Sequence, residues 1–117
     1  MLHTEKKIDK VFERFNGTGE ATIEHYFKEE QIASNIALYA KVTMPPGTSF
    51  GYHTHTGTSE TIVVLKGVAQ LNDDGVICQL YPGDVTHCPD GHSHSIGNIP
   101  GATEDLELQA LIVKTDK

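Results

Sequence analysis

The chain has 117 residues, which is room for one domain of ordinary size. Its net charge of −7 and its single arginine, Arg14, argue against nucleic acid and against anionic lipid, since both partners need a basic face. No apolar run approaches the roughly 20 residues that span a bilayer, and the first residues lack the apolar stretch of a secretory signal. Two cysteines are too few for a disulfide framework, so we expect a cytoplasmic protein.

The N-terminal residues 1–19 differ in pattern from the rest of the chain. Apolar side chains recur there at helical spacing with charges between them, at Ile8, Val11, Phe12 and Phe15. This pattern predicts either a short amphipathic helix or an irregular arm that lies on a partner subunit. A glycine-rich turn at 16–19 ends the segment.

Short β-branched and aromatic runs, separated by turn residues, make up the remainder. The runs that predict strands are 21–27, 36–43, 61–66, 68–71, 76–81 and 106–113. A strong hairpin signal lies at 72–75. Many short strands without a long helical pattern predict an all-β sandwich or barrel. We therefore expect one domain over 1–117, with an N-terminal arm at 1–19, a β-barrel at 20–113 and a polar tail at 114–117.

Histidines are frequent in this chain, and His53 and His55 are separated by a single residue. In a strand such a pair shares one face, with Cα atoms roughly 7 Å apart, which suits two ligands of one metal ion. Glu60 follows a short loop, so the chain can reverse and present its carboxylate to the same point. His94, after the turn at 89–91, is the best candidate for a fourth ligand. Three imidazoles and one carboxylate favour Mn, Fe, Co, Ni or Zn, with positions left open for water or substrate.

These four residues stand inside two motifs with fixed spacing. The first consists of Gly47, His53, His55, Glu60 and Gly67, with five, one, four and six residues in the gaps. The second consists of Gly83, Pro89-Asp90-Gly91, His94 and Asn98, with five, two and three residues in the gaps. Together they resemble the two motifs of the cupin family at every fixed position. The resemblance implies a cupin-type double-stranded β-helix, a jelly-roll-like β-sandwich barrel, with one divalent transition-metal ion per chain on His53, His55, Glu60 and His94.

Several other side chains are candidates for places near such a centre. If Val85 points into the barrel, His87 does too, as a general acid–base group or as a core histidine bonded to a backbone carbonyl. Tyr39 either lines the barrel mouth or has an ordinary place on a sheet face. We take His87 and Tyr39 as the candidate catalytic residues. His92 falls in a turn and is expected at the surface or pocket rim, whereas Cys88 and its fellow Cys78 are expected to be buried small apolar groups.

The function that these features predict is metal-dependent action on a small molecule. One hypothesis is an enzyme that acts on a small polar carbonyl, acid or sugar-type substrate by lyase, isomerase or decarboxylase chemistry. The alternatives are an iron dioxygenase, a metal-dependent binding module without catalysis, and a scaffold in which the metal only joins strands. An enzyme should carry an acid–base group near the metal beyond its ligands, whereas a binding module need carry none. Because Arg14 lies in the arm, the barrel should offer no guanidinium, so neutral or singly charged substrates are preferred.

We also expect a homodimer. Strand alternation counted from His53 places Phe50 and Tyr52 on the face opposite the histidines. Aromatic side chains on that outer face, like those of the N-terminal arm, would be better buried against a second subunit.

Overall fold

The computed structural model describes residues 2 and 5–115, which form ten strands and two short 3-10 turns. The strands are β1 Lys7–Phe12, β2 Glu20–His25, β3 Ile36–Met44, β4 Ser49–Thr54, β5 Thr58–Lys66, β6 Ala69–Asp73, β7 Val76–Leu80, β8 Val85–Cys88, β9 Ser93–Asn98 and β10 Leu106–Lys114. The 3-10 turns are Arg14–Asn16 and Glu29–Gln31. The predicted all-β fold is confirmed. Among the described residues no helix is long and apolar enough to cross a membrane.

The strands form two antiparallel sheets around one apolar core. The six-stranded sheet has the order β1-β2-β3-β10-β5-β8, and the four-stranded sheet has the order β4-β9-β6-β7. In β3 the buried residues are Ala40, Val42 and Met44, while the residues between them are only partly buried, as expected for a strand with one face on the core. Leu106 and Leu108 of β10 are almost completely buried. Burial of each such side chain contributes roughly 1.5–3 kcal/mol, so the central strands β3, β10 and β5 carry the stability of the barrel.

The hairpin predicted at residues 72–75 joins β6 to β7 and is confirmed. Asp73 pairs with Val76 across the turn, and the two residues between them, Asp74 and Gly75, both have positive φ angles. Left-handed backbone at both central positions is the type of two-residue turn that fits the twist of the flanking strands.

The N-terminal segment differs from the sequence-based expectation. Residues 7–12 are a strand that pairs antiparallel with β2, from Lys7 opposite His25 to Phe12 opposite Glu20. The predicted helix is therefore wrong, and residues 7–12 are ordered sheet rather than an irregular arm. A helix this short gains too few internal hydrogen bonds to be stable alone, whereas pairing with β2 gives residues 7–12 backbone hydrogen bonds along one side of the strand.

Candidate metal centre

Four side chains from three strands converge between the two sheets. His53 lies on β4, His55 directly after it, Glu60 on β5 and His94 on β9. One nitrogen or oxygen atom from each lies within 4.8 Å of the corresponding atoms of the others. The structure thus brings together all four residues that the sequence suggests as metal ligands.

A bulge in β4 sets the direction of its side chains. Phe50 pairs with Ile96 and His53 with His94, so β4 carries one residue more than β9 over this stretch. The extra residue shifts the alternation, and Phe50 therefore faces the same cavity as His53. The expectation that Phe50 lies on the outer face with Tyr52 is wrong, because it counted alternation across the bulge. Tyr52 is on the outside and 51% exposed.

Hydrogen bonds fix the orientation of two of the imidazole rings. His53 Nδ1 donates to the carbonyl oxygen of Gly51 at 2.8 Å, which leaves Nε2 without a proton and facing the cluster. His55 Nδ1 is 2.9 Å from the hydroxyl of Thr58. Such partners on the outer nitrogen are typical of metal-binding histidines, because they fix the tautomer and the ring plane. His94 differs, because its Nδ1 is buried without a hydrogen-bond partner among the described residues.

Three atoms of the cluster form a nearly equilateral triangle. His55 Nε2 lies 3.0 Å from His94 Nε2, and Glu60 Oε1 lies 3.1 Å and 3.0 Å from the two nitrogens. Hydrogen bonds alone cannot satisfy all three contacts. If the Nε2 atoms of both histidines donate an N–H to the carboxylate, the two hydrogens face each other. Two ligands about 2.1 Å from one ion and at right angles to each other are about 3.0 Å apart. The donor set and its spacing therefore fit a divalent transition-metal ion.

The charges of the cluster suit the same role. Burial opposes ionisation of Glu60, but its bonds to His55 and His94 outweigh that effect and lower the pKa of the carboxyl group to about 2. Burial lowers the pKa of His53 below its usual value. The carboxylate is thus ionised and the His53 imidazole is neutral near pH 7, which are the protonation states that ligate a cation.

The cluster opens into a small cavity of about 60 Å³. At roughly 15 Å³ for each water, this space holds about four waters or one ligand of similar size. Nine apolar side chains line it: Ile23, Leu38, Val42, Phe50, Ile62, Ile96, Leu108, Ala110 and Ile112. Arg14 and Phe15 line it as well, and both are solvent-exposed, so they mark the open end. The expectation that the barrel offers no guanidinium is therefore wrong.

The two candidate catalytic residues lie elsewhere. His87 is exposed on the outer face of β8, where its Nδ1 is 2.8 Å from the hydroxyl of Thr61. Val85 is also exposed. Val85 and His87 therefore both point away from the barrel interior, which is the reverse of the orientation considered for His87. Tyr39 lines a separate groove and packs edge-on against Tyr26, with ring centroids 4.9 Å apart. Neither side chain lines the cavity, so the structure gives their catalytic roles no support.

The remaining polar candidates are on the surface or in the core. His92 is exposed and forms an ion pair with Asp74, as expected for a surface residue. Cys88 is 1% exposed and lies opposite Glu60 in the pairing of β5 with β8, as expected for a small core residue. Cys78 is exposed, so the expectation that it is buried is wrong. It lies on β7, an edge strand whose residues 76–79 are all exposed.

Comparison with known proteins agrees with this architecture. Residues 40–112 match the sequence model of the cupin domain. The chain is 32% identical over 105 residues to an oxalate-binding protein of Thermotoga maritima, covering 90% of this chain and 85% of the relative. It superposes on the crystal structure of a predicted oxalate decarboxylase from Thermotoga maritima with a TM-score of 0.86 and 32% identity, covering 94% of both chains.

A more distant structure shows the fold alone. A polyketide cyclase from Streptomyces resistomycificus superposes with a TM-score of 0.76 at 18% identity, covering 99% of this chain and 80% of the other. Two antiparallel sheets with a histidine–glutamate cluster between them define a small β-barrel domain with a candidate divalent-metal site. The chain belongs to the cupin family.

Proposed function

We propose that the protein binds one divalent transition-metal ion through His53, His55, Glu60 and His94 and, on that ion, a small carboxylate of the size of oxalate. The observation that carries the proposal is the triangle of about 3.0 Å formed by His55, His94 and Glu60 at the wall of a small cavity. The similarity to an oxalate-binding protein supports the choice of ligand.

Each part of the cavity contributes to such binding. When bound, a divalent ion supplies a localised positive charge and open coordination positions for a carboxylate. The outer-nitrogen bonds of His53 and His55 orient the rings before the ion arrives. The apolar lining lowers the local dielectric constant and so strengthens the attraction between an anion and the charged centre. The small volume restricts the ligand to a few non-hydrogen atoms.

The lining favours binding without proton transfer. Apart from the four cluster residues, Arg14 is the one titratable side chain that lines the cavity in the described part of the chain. A guanidinium keeps its proton at any physiological pH, so it cannot serve as a general acid or base. An isomerase or a lyase that needs a proton donor would lack one here, whereas a binding module does not need one.

A decarboxylase is the second candidate, and the similarity to a predicted oxalate decarboxylase favours it. Hydrogen oxalate would lose its C–C bond to give carbon dioxide and formate, with a proton transferred to the formate carbon. In this cavity that proton would come from water. An iron dioxygenase is a further alternative, which consumption of O2 would reveal.

Elemental analysis of protein purified without added metal, followed by calorimetric titration with oxalate, tests the proposal. We expect about one transition-metal ion per chain, oxalate binding by the loaded protein, and no binding after treatment with a chelator. Oxalate affinity that survives chelation would contradict the role of the metal. Formate detected by NMR in the same samples would establish the decarboxylase in place of the binding module.

A further inference from the structure

Arg14 is the chain's single arginine, and it lies at the open end of the metal-site cavity. Its guanidinium forms no hydrogen bond or ion pair with any residue that the structure describes. Its Cζ lies over the ring of Phe15, 5.1 Å from the ring centroid. An unpaired guanidinium has five donors available, and their planar arrangement matches a carboxylate.

The backbone of this segment is built to hold that position. Glu13, Phe15 and Asn16 all have positive φ angles, between 49° and 62°, which non-glycine residues seldom adopt. Such conformations persist only where the surroundings enforce them, and they cluster at ligand-binding sites. Here the surroundings are the backbone of β4: a Cβ added at Gly17 would collide with the Ser49 carbonyl oxygen. A Cβ added at Gly51 would collide with the Phe15 carbonyl oxygen.

Ring stacking connects the segment to the metal ligands. The ring of Phe15 stacks on the imidazole of His53, with centroids 3.9 Å apart and planes inclined by 16°. Arg14, Phe15 and His53 therefore form a row from the solvent to the cluster. Arg14 lines the same cavity as the cluster, so a ligand that extends from the ion towards the open end approaches this side chain.

Charge and size select the ligand. A divalent ion with the ionised Glu60 carboxylate leaves one net positive charge in the cavity, and Arg14 adds a second. A small dianion neutralises both charges, whereas a monoanion neutralises one. The cavity of about 60 Å³ fits a short molecule, in which the two carboxylates are adjacent or nearly so.

We propose that Arg14 is the specificity residue of the site: it binds the far carboxylate of a small dicarboxylate whose near end lies on the metal. This inference rests on the proposed function and adds to it the preference for a dianion over a monoanion. The segment Glu13–Asn16 is then the part of the molecule that holds the recognising group over the cavity.

The test compares Arg14→Gln with the wild type in their metal-loaded forms, titrated with oxalate and with glycolate, a monoanion of similar size. We expect Arg14→Gln to weaken oxalate binding by at least about 10-fold, because a charge-assisted pair is lost, and to change glycolate binding much less. Arg14→Lys keeps the charge without the fork and should lie between the two. The control Lys10→Gln removes an exposed positive charge that does not line the cavity, and should leave the affinity for oxalate unchanged.

The Co²⁺-loaded proteins supply a readout independent of affinity. Their absorption spectra without ligand should be the same for wild type and Arg14→Gln, because Arg14 is not a metal ligand. Equal oxalate affinity in wild type and Arg14→Gln would overturn this inference and leave the proposed function intact. Absence of metal-dependent oxalate binding in the wild type would overturn the proposed function and this inference with it.

Discussion

Strand β5 carries two threonine–histidine hydrogen bonds, one on each face of the sheet. On the inner face Thr58 bonds to Nδ1 of His55 at 2.9 Å, and on the outer face Thr61 bonds to Nδ1 of His87 at 2.8 Å. The two bonds are alike in chemistry and length. They differ in surroundings: His55 is 7% exposed and meets His94 and Glu60, whereas His87 is exposed and belongs to no described cluster of ligands. A histidine becomes part of a site through burial and convergence with other ligands, not through its own hydrogen bond.

Removal of a metal ligand on the inner face should have the largest effect on metal affinity. We expect His94→Gln to weaken metal binding by more than about 100-fold, because loss of a ligand costs more than loss of an outer partner, which costs about 10–100-fold. The outer-face control His87→Gln should keep the full metal content. Mass spectrometry of metal per chain after dialysis measures both. A His94→Gln protein with native circular dichroism and undiminished metal would show that the cluster is not the site.

Removal of the supporting hydroxyl on each face gives the sharpest form of the comparison. Thr58→Val keeps the shape of the side chain and deletes the partner of His55 Nδ1, so metal affinity should fall by about 10–100-fold. Thr61→Val makes the same change beside His87 and should leave affinity unaltered. Competition titration against a chelator of known affinity compares the two. Equal affinities would mean that packing alone orients His55.

Acid should destabilise the folded protein through the histidines of the candidate metal site. A free histidine has a pKa near ~6.5, and burial lowers the pKa of His53 in the folded protein. Between the two pKa values the folded state binds fewer protons than the unfolded chain, so stability is lost as pH falls below about 6.5. Protons also compete with the metal for three imidazoles, which makes the loss steeper in the loaded protein. Glu60, with a pKa of about 2, stays ionised in the folded protein throughout this window and contributes little to the change.

Melting curves with and without chelator at several pH values measure this effect. We expect the melting temperature of the loaded protein to fall between about pH 6.5 and 5 by more than that of the stripped protein. Parallel curves would assign the acid sensitivity to groups other than the metal ligands.

The two cysteines should also differ between buried and exposed positions, this time in their reactivity. Their modification should have the smallest effect on metal binding. Burial raises the pKa of Cys88 to about 11, and its side chain is almost inaccessible. Cys78 is exposed on β7. Iodoacetamide at pH 8 should therefore alkylate Cys78 in the folded protein and Cys88 only after unfolding, without change in metal content after the first reaction. Peptide mass spectrometry identifies the modified cysteine, and modification of Cys88 in the folded protein would contradict the buried position.

The sequence predicts those parts of the site that follow from fixed spacing. His53, His55, Glu60 and His94 stand at separations that bring them together in any barrel of this kind, and alternation locates most strands. It is harder to predict which side chains of β8 point inward, since a strand of four residues has too few alternations to show which face His87 occupies. Homodimer formation stays a prediction, and the inward direction of Phe50 removes part of its basis.

The cavity residues that the sequence does not predict are placed by irregular backbone. Arg14 and Phe15 reach the cavity in a segment where Glu13, Phe15 and Asn16 have left-handed backbone, and of these three only Asn16 is a residue type that favours it. Phe50 turns inward because of the bulge before His53. Gly51 was the available signal for that bulge, because an isolated glycine inside a strand often marks one.

The position of β10 determines when the barrel is able to close during synthesis. It lies between β3 and β5 and pairs with both, yet it is the last of the described strands in sequence order. Until residues 106–114 leave the ribosome, β3 and β5 have no shared neighbour, and the cavity lacks the wall formed by Leu108, Ala110 and Ile112. The two parts of the six-stranded sheet, β1-β2-β3 and β5-β8, therefore join only after translation of β10, and the pairing of distant segments makes that step slow. A nascent chain that stalls before β10 presents two apolar strands with open edges, which is the state a chaperone recognises.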